Sequence, residues 1–135
     1  MSAARNVPDR PVPALPPTVL VVDDEILVRM VIAAYLRDCG FDVVEAGSAD
    51  EAVRVLEAGL RIDIVFSDVS MPGSLDGFGL ARWVRRERPE LKVILTSGAV
   101  RTAKDATDFS AHGPIVAKPY NHAKLASQLR ALLVR

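Results

Sequence analysis

The chain has 135 residues, 50% of them hydrophobic and 25% charged, and its 17 Lys and Arg balance 17 Asp and Glu. One domain of this length buries a core of its own, and the cancelled charge, with no basic block standing alone, excludes an electrostatic footprint for nucleic acid. A lone cysteine, Cys39, excludes an internal disulfide, and neither a bilayer-spanning apolar stretch nor a charged-then-apolar leader is present, so a cytoplasmic location without membrane contact is expected.

Residues 1–17 hold five of the nine prolines. They have too little apolar surface to offset their ordering entropy, and they read as a disordered, proline-rich N-terminal tail ahead of one folded domain over residues 18–135. Val19–Val22 is a continuous apolar run, the pattern of a central strand, and it stops at Asp23 and Asp24. From Glu25 to Cys39, Val28, Val31, Ile32, Tyr35, Leu36 and Cys39 recur at helical spacing, with Gly40 as the stop. Phe41–Ala46 is a second short strand. Ser48 and Glu51 stand at capping-box spacing and open a helix through Ala52, Val55 and Leu56 to Gly59.

Ile62, Ile64, Val65 and Phe66 form a third strand with little polar alternation, which suits a strand covered on both faces, and it delivers Asp68 to a loop rich in glycine and proline. Asp76–Arg88 reads as a helix with Leu80, Ala81 and Val84 inward and Pro89 at its end. Lys92–Ser97 is the fourth strand. Residues 101–112 make a poor helix, with frequent Thr, Asp and Ser and few inward apolar residues, and are expected to be the least rigid element. Ile115–Ala117 is the fifth strand, and Asn121 can cap a last helix through Leu125, Leu129 and Leu132. Five such β–α units predict a doubly wound α/β fold: a five-stranded parallel sheet, order 2-1-3-4-5, flavodoxin-like in topology, with helices on both faces.

In a parallel sheet all strands end on one edge, where open α/β sheets place their sites. Asp23 and Asp24 from strand one, Asp68 from strand three, Thr96 from strand four and Lys118 from strand five would therefore meet. Three carboxylates in close quarters repel unless a cation sits among them, and oxygen-only ligands at an exposed edge suit Mg²⁺. Each residue also has a plainer use. Asp68 could start a turn, Asp23 or Asp24 could cap the first helix, Thr96 could be β-branched filler and Lys118 a solvated loop lysine. His112 and His122, away from the strand ends, read as surface residues.

VVDDE at Val21–Glu25, SDVSMPG at Ser67–Gly73, DG at Asp76–Gly77, LTSG at Leu95–Gly98 and KPY at Lys118–Tyr120 occur in this order. Together they resemble the receiver domains of two-component response regulators, over about Thr18–Arg135. The resemblance implies that Asp68 accepts a phosphoryl group from a sensor histidine kinase or a histidine phosphotransfer protein. It implies Mg²⁺ held by Asp24, by Asp23 through water, by Asp68 and by the backbone carbonyl of Ser70. Lys118 would pair with Asp68 and then with a phosphoryl oxygen, and Thr96 would bond a second oxygen and move toward it. Such a domain catalyses its own phosphorylation and dephosphorylation and is otherwise no enzyme. A cis peptide before Pro119 belongs to the same resemblance.

Two departures stand out. Ile115 occupies the position, three before the lysine, where the family often has Tyr or Phe. The loop after Asp68 carries one extra residue, Ser74 or Leu75. Ser70 and the small Gly98 flank the site where the family tunes dephosphorylation, and Gly98 is expected to leave it open. With no helix-turn-helix after the fifth helix, the expectation is a stand-alone receiver that binds no DNA directly and acts on a downstream protein through contacts. Ile26, Arg29, Met30 and Ala33, spaced along the outer side of the first helix, are the expected docking stripe for the phosphodonor. Among rival functions, a flavin binder would need a phosphate-cradling loop where Asp23–Glu25 stand, and an aspartate-nucleophile phosphohydrolase would need a second carboxylate where Ser70 stands. The remaining alternative is a receiver-fold interaction module that works without phosphorylation.

Overall fold

The computed structural model describes residues 15–98 and 114–134. Most of the tail (residues 1–14), the expected helix at 101–112 and His112 lie outside the described residues. Five strands and four helices are described: β1 (Thr18–Val22), α1 (Ile26–Asp38), β2 (Asp42–Ala46), α2 (Ala49–Glu57), β3 (Ile64–Asp68), α3 (Gly77–Glu87), β4 (Lys92–Ser97), β5 (Ile115–Ala117) and α4 (His122–Leu133). All strand pairs are parallel, in the order β2-β1-β3-β4-β5, as the alternation of strand and helix predicts. No described helix is long and apolar enough to cross a membrane.

Successive side chains of β1 point to opposite faces. Val19 and Val21, with Ile64 and Phe66 of β3 and Ile94 of β4, pack on Ile32 and Leu36 of α1 and on Leu125 and Leu129 of α4. Leu20, Val22 and Val65 pack on Ala49, Ala52 and Leu56 of α2 and on Leu80 and Val84 of α3. Both faces are thus covered, which is why the central strands read as unbroken apolar runs rather than alternating ones. Each fully buried Leu or Val contributes on the order of 1.5–3 kcal/mol relative to exposure.

Three helices begin where a capping side chain stands. Ser48 Oγ accepts from the N–H of Glu51 (3.0 Å), Asp76 Oδ1 from Gly79 (2.8 Å) and Asn121 Oδ1 from Lys124 (3.0 Å). The capping box at α2 closes one residue early, because the Glu51 carboxylate accepts from the Gly47 N–H. α1 has no side-chain cap. The Asp23 carboxylate takes the Glu25 N–H instead (2.9 Å), so neither Asp23 nor Asp24 is spent on capping. β3 starts at Ile64 rather than Ile62, since the carboxylate of Asp63 accepts from Thr18 N–H and ties the chain to β1 just before the strand.

α1 departs from its expected phase. Ile32, Ala33 and Leu36 are buried, whereas Val28 and Val31, expected inward, are 36% and 56% exposed. The segment ILVRMVIAAYL is apolar on nearly every side, so periodicity alone fits two rotations of the helix. Packing on the sheet selects the one that buries Ala33 together with Ile32 and Leu36.

Candidate functional site at the acidic sheet edge

The pairing register brings the predicted residues together. Val22 is level with Ser67, and Asp68 with Thr96, so the residues just beyond β1 and at the end of β3 share one edge. Asp68 is the last residue of β3 and is 5% exposed. Lys118, just after β5, places Nζ 3.2 Å from Asp68 Oδ1, and its backbone N–H donates to Ser97 O. The Lys118–Pro119 peptide is cis. Gly77 explains how tightly the edge is built: a Cβ there would sit 2.2 Å from the Asp68 carbonyl oxygen. Only glycine lets α3 start against the end of β3.

Asp23 is buried and Asp24 exposed, and one carboxylate oxygen each from Asp23, Asp24 and Asp68 lie within 4.8 Å of one another. Burial pushes the Asp23 carboxyl above its ordinary range, and the charges of Asp68 and Asp24 add to this against the Glu25 N–H and Lys118. Such a cluster, electrostatically unfavourable by itself and open on the Asp24 side, fits a hard divalent cation that keeps part of its water. Tyr120 packs its ring edge-on against Phe66 (5.6 Å between centroids). Burial first, and then the Asp23 and Asp68 carboxylates, raise its phenol well above the usual value.

Thr96 is buried and donates its hydroxyl to Val116 O (2.9 Å). Ser70 and Gly98 are exposed, and among the described residues a Cβ on Gly98 would meet nothing within 4 Å. The longer loop after Asp68 is anchored: Ser74 Oγ donates to Asp50 Oδ1 (2.8 Å) and Leu75 packs in the α2–α3 cluster. Ile115 packs against the cluster of Val69, Ala81 and Leu95.

The expected docking stripe needs correction. Ala33 is fully buried, and Arg29 turns inward to Glu45 (3.2 Å). The large apolar residues that α1 exposes are Ile26, Leu27, Met30 and Val31, with Val28 at their margin, and the cause is the helix phase described above. Beside them lies a groove of about 570 Å³ between α1 and the β5–α4 loop, lined by Leu27, Val28, Val31, Lys118, Tyr120 and His122 among others. His122 is not a plain surface residue: its ring is half-buried and stacks at a tilt on Tyr35 (5.3 Å) and Tyr120 (5.9 Å). Tyr120, His122 and Arg29 are the neighbours that sequence reasoning left out of the site. Tyr120 directly follows the Lys118–Pro119 pair, and Arg29 stands one helical turn after Glu25.

The chain matches the response regulator receiver domain family over residues 19–130. It is 39% identical to the sensor kinase CckA of Brucella abortus over 86% of this chain and 12% of that one. It is 35% identical to an NtrX-like response regulator of Rickettsia bellii over 83% of this chain and 24% of that one. The chain thus spans a quarter or less of these two curated relatives. Among solved structures it superimposes on the response regulator TrrA of Thermotoga maritima, described in complex with Mg²⁺–BeF, with a TM-score of 0.76 and 28% identity over 87% of this chain and 99% of that one. With its sheet order, its acidic edge and this match over most of its length, the chain belongs to the response regulator receiver domain family.

Proposed function

We propose that Asp68 accepts a phosphoryl group from a histidine kinase or histidine phosphotransfer protein, with Mg²⁺ in the acidic pocket, and that the phosphorylated chain signals through protein contacts. The observation that carries this is the placement of Lys118 Nζ 3.2 Å from a carboxylate that shares a pocket with two others. A carboxylate oxygen of Asp68 would attack phosphorus in line. The P–O bond forms as the P–N bond of the phosphohistidine breaks, and the electron pair leaves on the imidazole nitrogen. When bound, Mg²⁺ supplies charge stabilisation at the phosphoryl oxygens.

The chain's own groups divide the rest of the work. Asp24 and Asp68, with the Ser70 carbonyl, would be direct ligands, and Asp23 would act through water. Lys118 would leave Asp68 for a phosphoryl oxygen, keeping one charge-assisted bond throughout. For Thr96 to bond the phosphoryl group it must release Val116 O. That exchanges a neutral hydrogen bond worth about 1 kcal/mol for one to a charged group worth roughly 1.5–3, so the rotation is favoured only after phosphorylation. The Mg²⁺–BeF complex described for TrrA supports the same chemistry on this fold. The exposed Ile26, Leu27, Met30 and Val31, next to the groove under Tyr120, would receive the phosphodonor.

Incubation with acetyl phosphate and Mg²⁺, followed by intact mass measurement, tests the proposal. A single phosphoryl adduct is expected on the wild type and none on Asp68→Asn. If the wild type formed neither that adduct nor a beryllofluoride complex, the phosphorylation-independent interaction module would replace this reading.

A further inference from the structure

The geometry points to Arg29 as a positioning residue for the acidic pocket: held by Glu45, its guanidinium clamps the main chain of Asp23 and thereby fixes where the Asp23 and Asp24 carboxylates stand. This rests on the cation-assisted phosphoacceptor role proposed above.

Arg29 sits in the first turn of α1, its N–H bonded to Glu25 O (2.9 Å). Helical side chains lean toward the helix N-terminus, which here carries the guanidinium back to the acidic loop. Nη1 donates to the Asp23 carbonyl oxygen (2.8 Å) and Nε to Glu45 Oε1 (3.2 Å), with the side chain 17% exposed. The Asp23 N–H is itself bonded to Ala46 O (3.1 Å). The main chain of Asp23 is therefore tied to β2 from both sides, directly through its N–H and through Arg29 and Glu45 at its carbonyl. Gly47 keeps the space clear, since a Cβ there would lie 3.3 Å from Arg29 Nη1.

A cation so close to a metal pocket is costly for metal binding unless it does something else. Its field opposes Mg²⁺ and is offset only in part by Glu45, which Arg37 also meets at 3.5 Å, so no charge effect that favours the metal is left to it. What remains is the geometric effect: a planar fork that bridges a carbonyl and a carboxylate, which the point charge of a lysine cannot reproduce. The two effects predict opposite signs. If Arg29 acted only through its charge, removing it would tighten Mg²⁺ binding; if it holds the loop, removing it loosens Mg²⁺.

Calorimetric titration of the intact chain with MgCl₂ alone reads that sign, with thermal melting as the check on folding. Arg29→Met is expected to weaken Mg²⁺ about tenfold, the low end for residues that orient metal ligands. Arg29→Lys, which preserves the charge, should weaken it by several-fold. Both losses should persist in 0.5 M salt, where a field effect would be screened beyond about 4 Å. Unchanged or tighter Mg²⁺ binding in Arg29→Met overturns the inference. If that variant does not fold, Arg29→Lys decides it, and wild-type affinity there overturns it. A wild type that binds no Mg²⁺ would instead refute the cation-assisted role, and this inference with it, so the two failures are distinguishable.

Discussion

Asp23→Asn should make the metal-free protein more stable and the metal-loaded protein less stable than wild type. Asp23 is 3% exposed and shares its pocket with Asp24 and Asp68. Asparagine preserves the Oδ1 acceptor for the Glu25 N–H while removing a desolvated charge beside two like ones. The gain is on the order of 1 kcal/mol, within the range common for stabilising single substitutions, or roughly 3–6 °C in Tm for a domain of this size. The pH dependence has a definite sign. Because the folded-state pKa of Asp23 is raised above its ordinary 3.8, the wild type loses stability as pH rises through the folded value. The advantage of Asp23→Asn should therefore be full at pH 7 and vanish below 3.8. With Mg²⁺ at a hundredfold its Kd, the wild type gains about 2.7 kcal/mol, and the order of the two melting temperatures reverses. Differential scanning calorimetry in EDTA and in Mg²⁺ at several pH values covers all three statements. A lower Tm for Asp23→Asn in EDTA at pH 7 would refute the reasoning, because it would mean that the charge is already compensated within the protein.

Gly77→Ala places a Cβ 2.2 Å from the Asp68 carbonyl oxygen and 2.7 Å from Val69 Cα, both backbone atoms, and should cost about 3 kcal/mol or more in urea unfolding; a loss under 1 kcal/mol would contradict the close approach. Gly98→Ala meets nothing within 4 Å among the described residues and should leave stability within about 0.5 kcal/mol of wild type by the same measurement, whereas Ser70→Asn should change the decay rate of the acyl phosphate. Met30→Glu places a charge on the exposed apolar face of α1 and should slow phosphotransfer from a phosphorylated kinase at least tenfold more than it slows labelling by acetyl phosphate. Equal effects on the two donors would move the docking surface elsewhere.

Most of the site was legible because a parallel sheet converts order along the chain into position at one edge. Asp23, Asp68, Thr96 and Lys118 each follow or end an apolar run, and once those runs are parallel strands their ends must coincide. The capping positions Ser48 and Asn121 were legible for an equally local reason, since a side-chain acceptor meets an N–H three residues on, and Asp76, read only as the start of a helix, caps α3 in the same way. What local pattern does not carry is the direction of a side chain on an element that is apolar all round. β2 begins at Asp42 rather than Phe41, a matter of one residue, but on α1 a comparable uncertainty turned Arg29 and Ala33 outward when they face inward.

That uncertainty comes from the composition of α1 itself. A helix that only packs on a sheet can be polar on its outer face, and its phase is then plain. α1 buries Ile32, Ala33 and Leu36 yet exposes Ile26, Leu27, Met30 and Val31, so it carries two apolar faces. Exposing the second face gains the folded chain nothing in water. Among the described residues nothing covers it, and the phosphodonor proposed above would do so, beside the pocket where Lys118 meets Asp68. The residues that obscured the phase of α1 are thus the ones proposed to receive the phosphodonor, and Arg29, the one cation in that stretch, is turned inward to Glu45 and the Asp23 carbonyl.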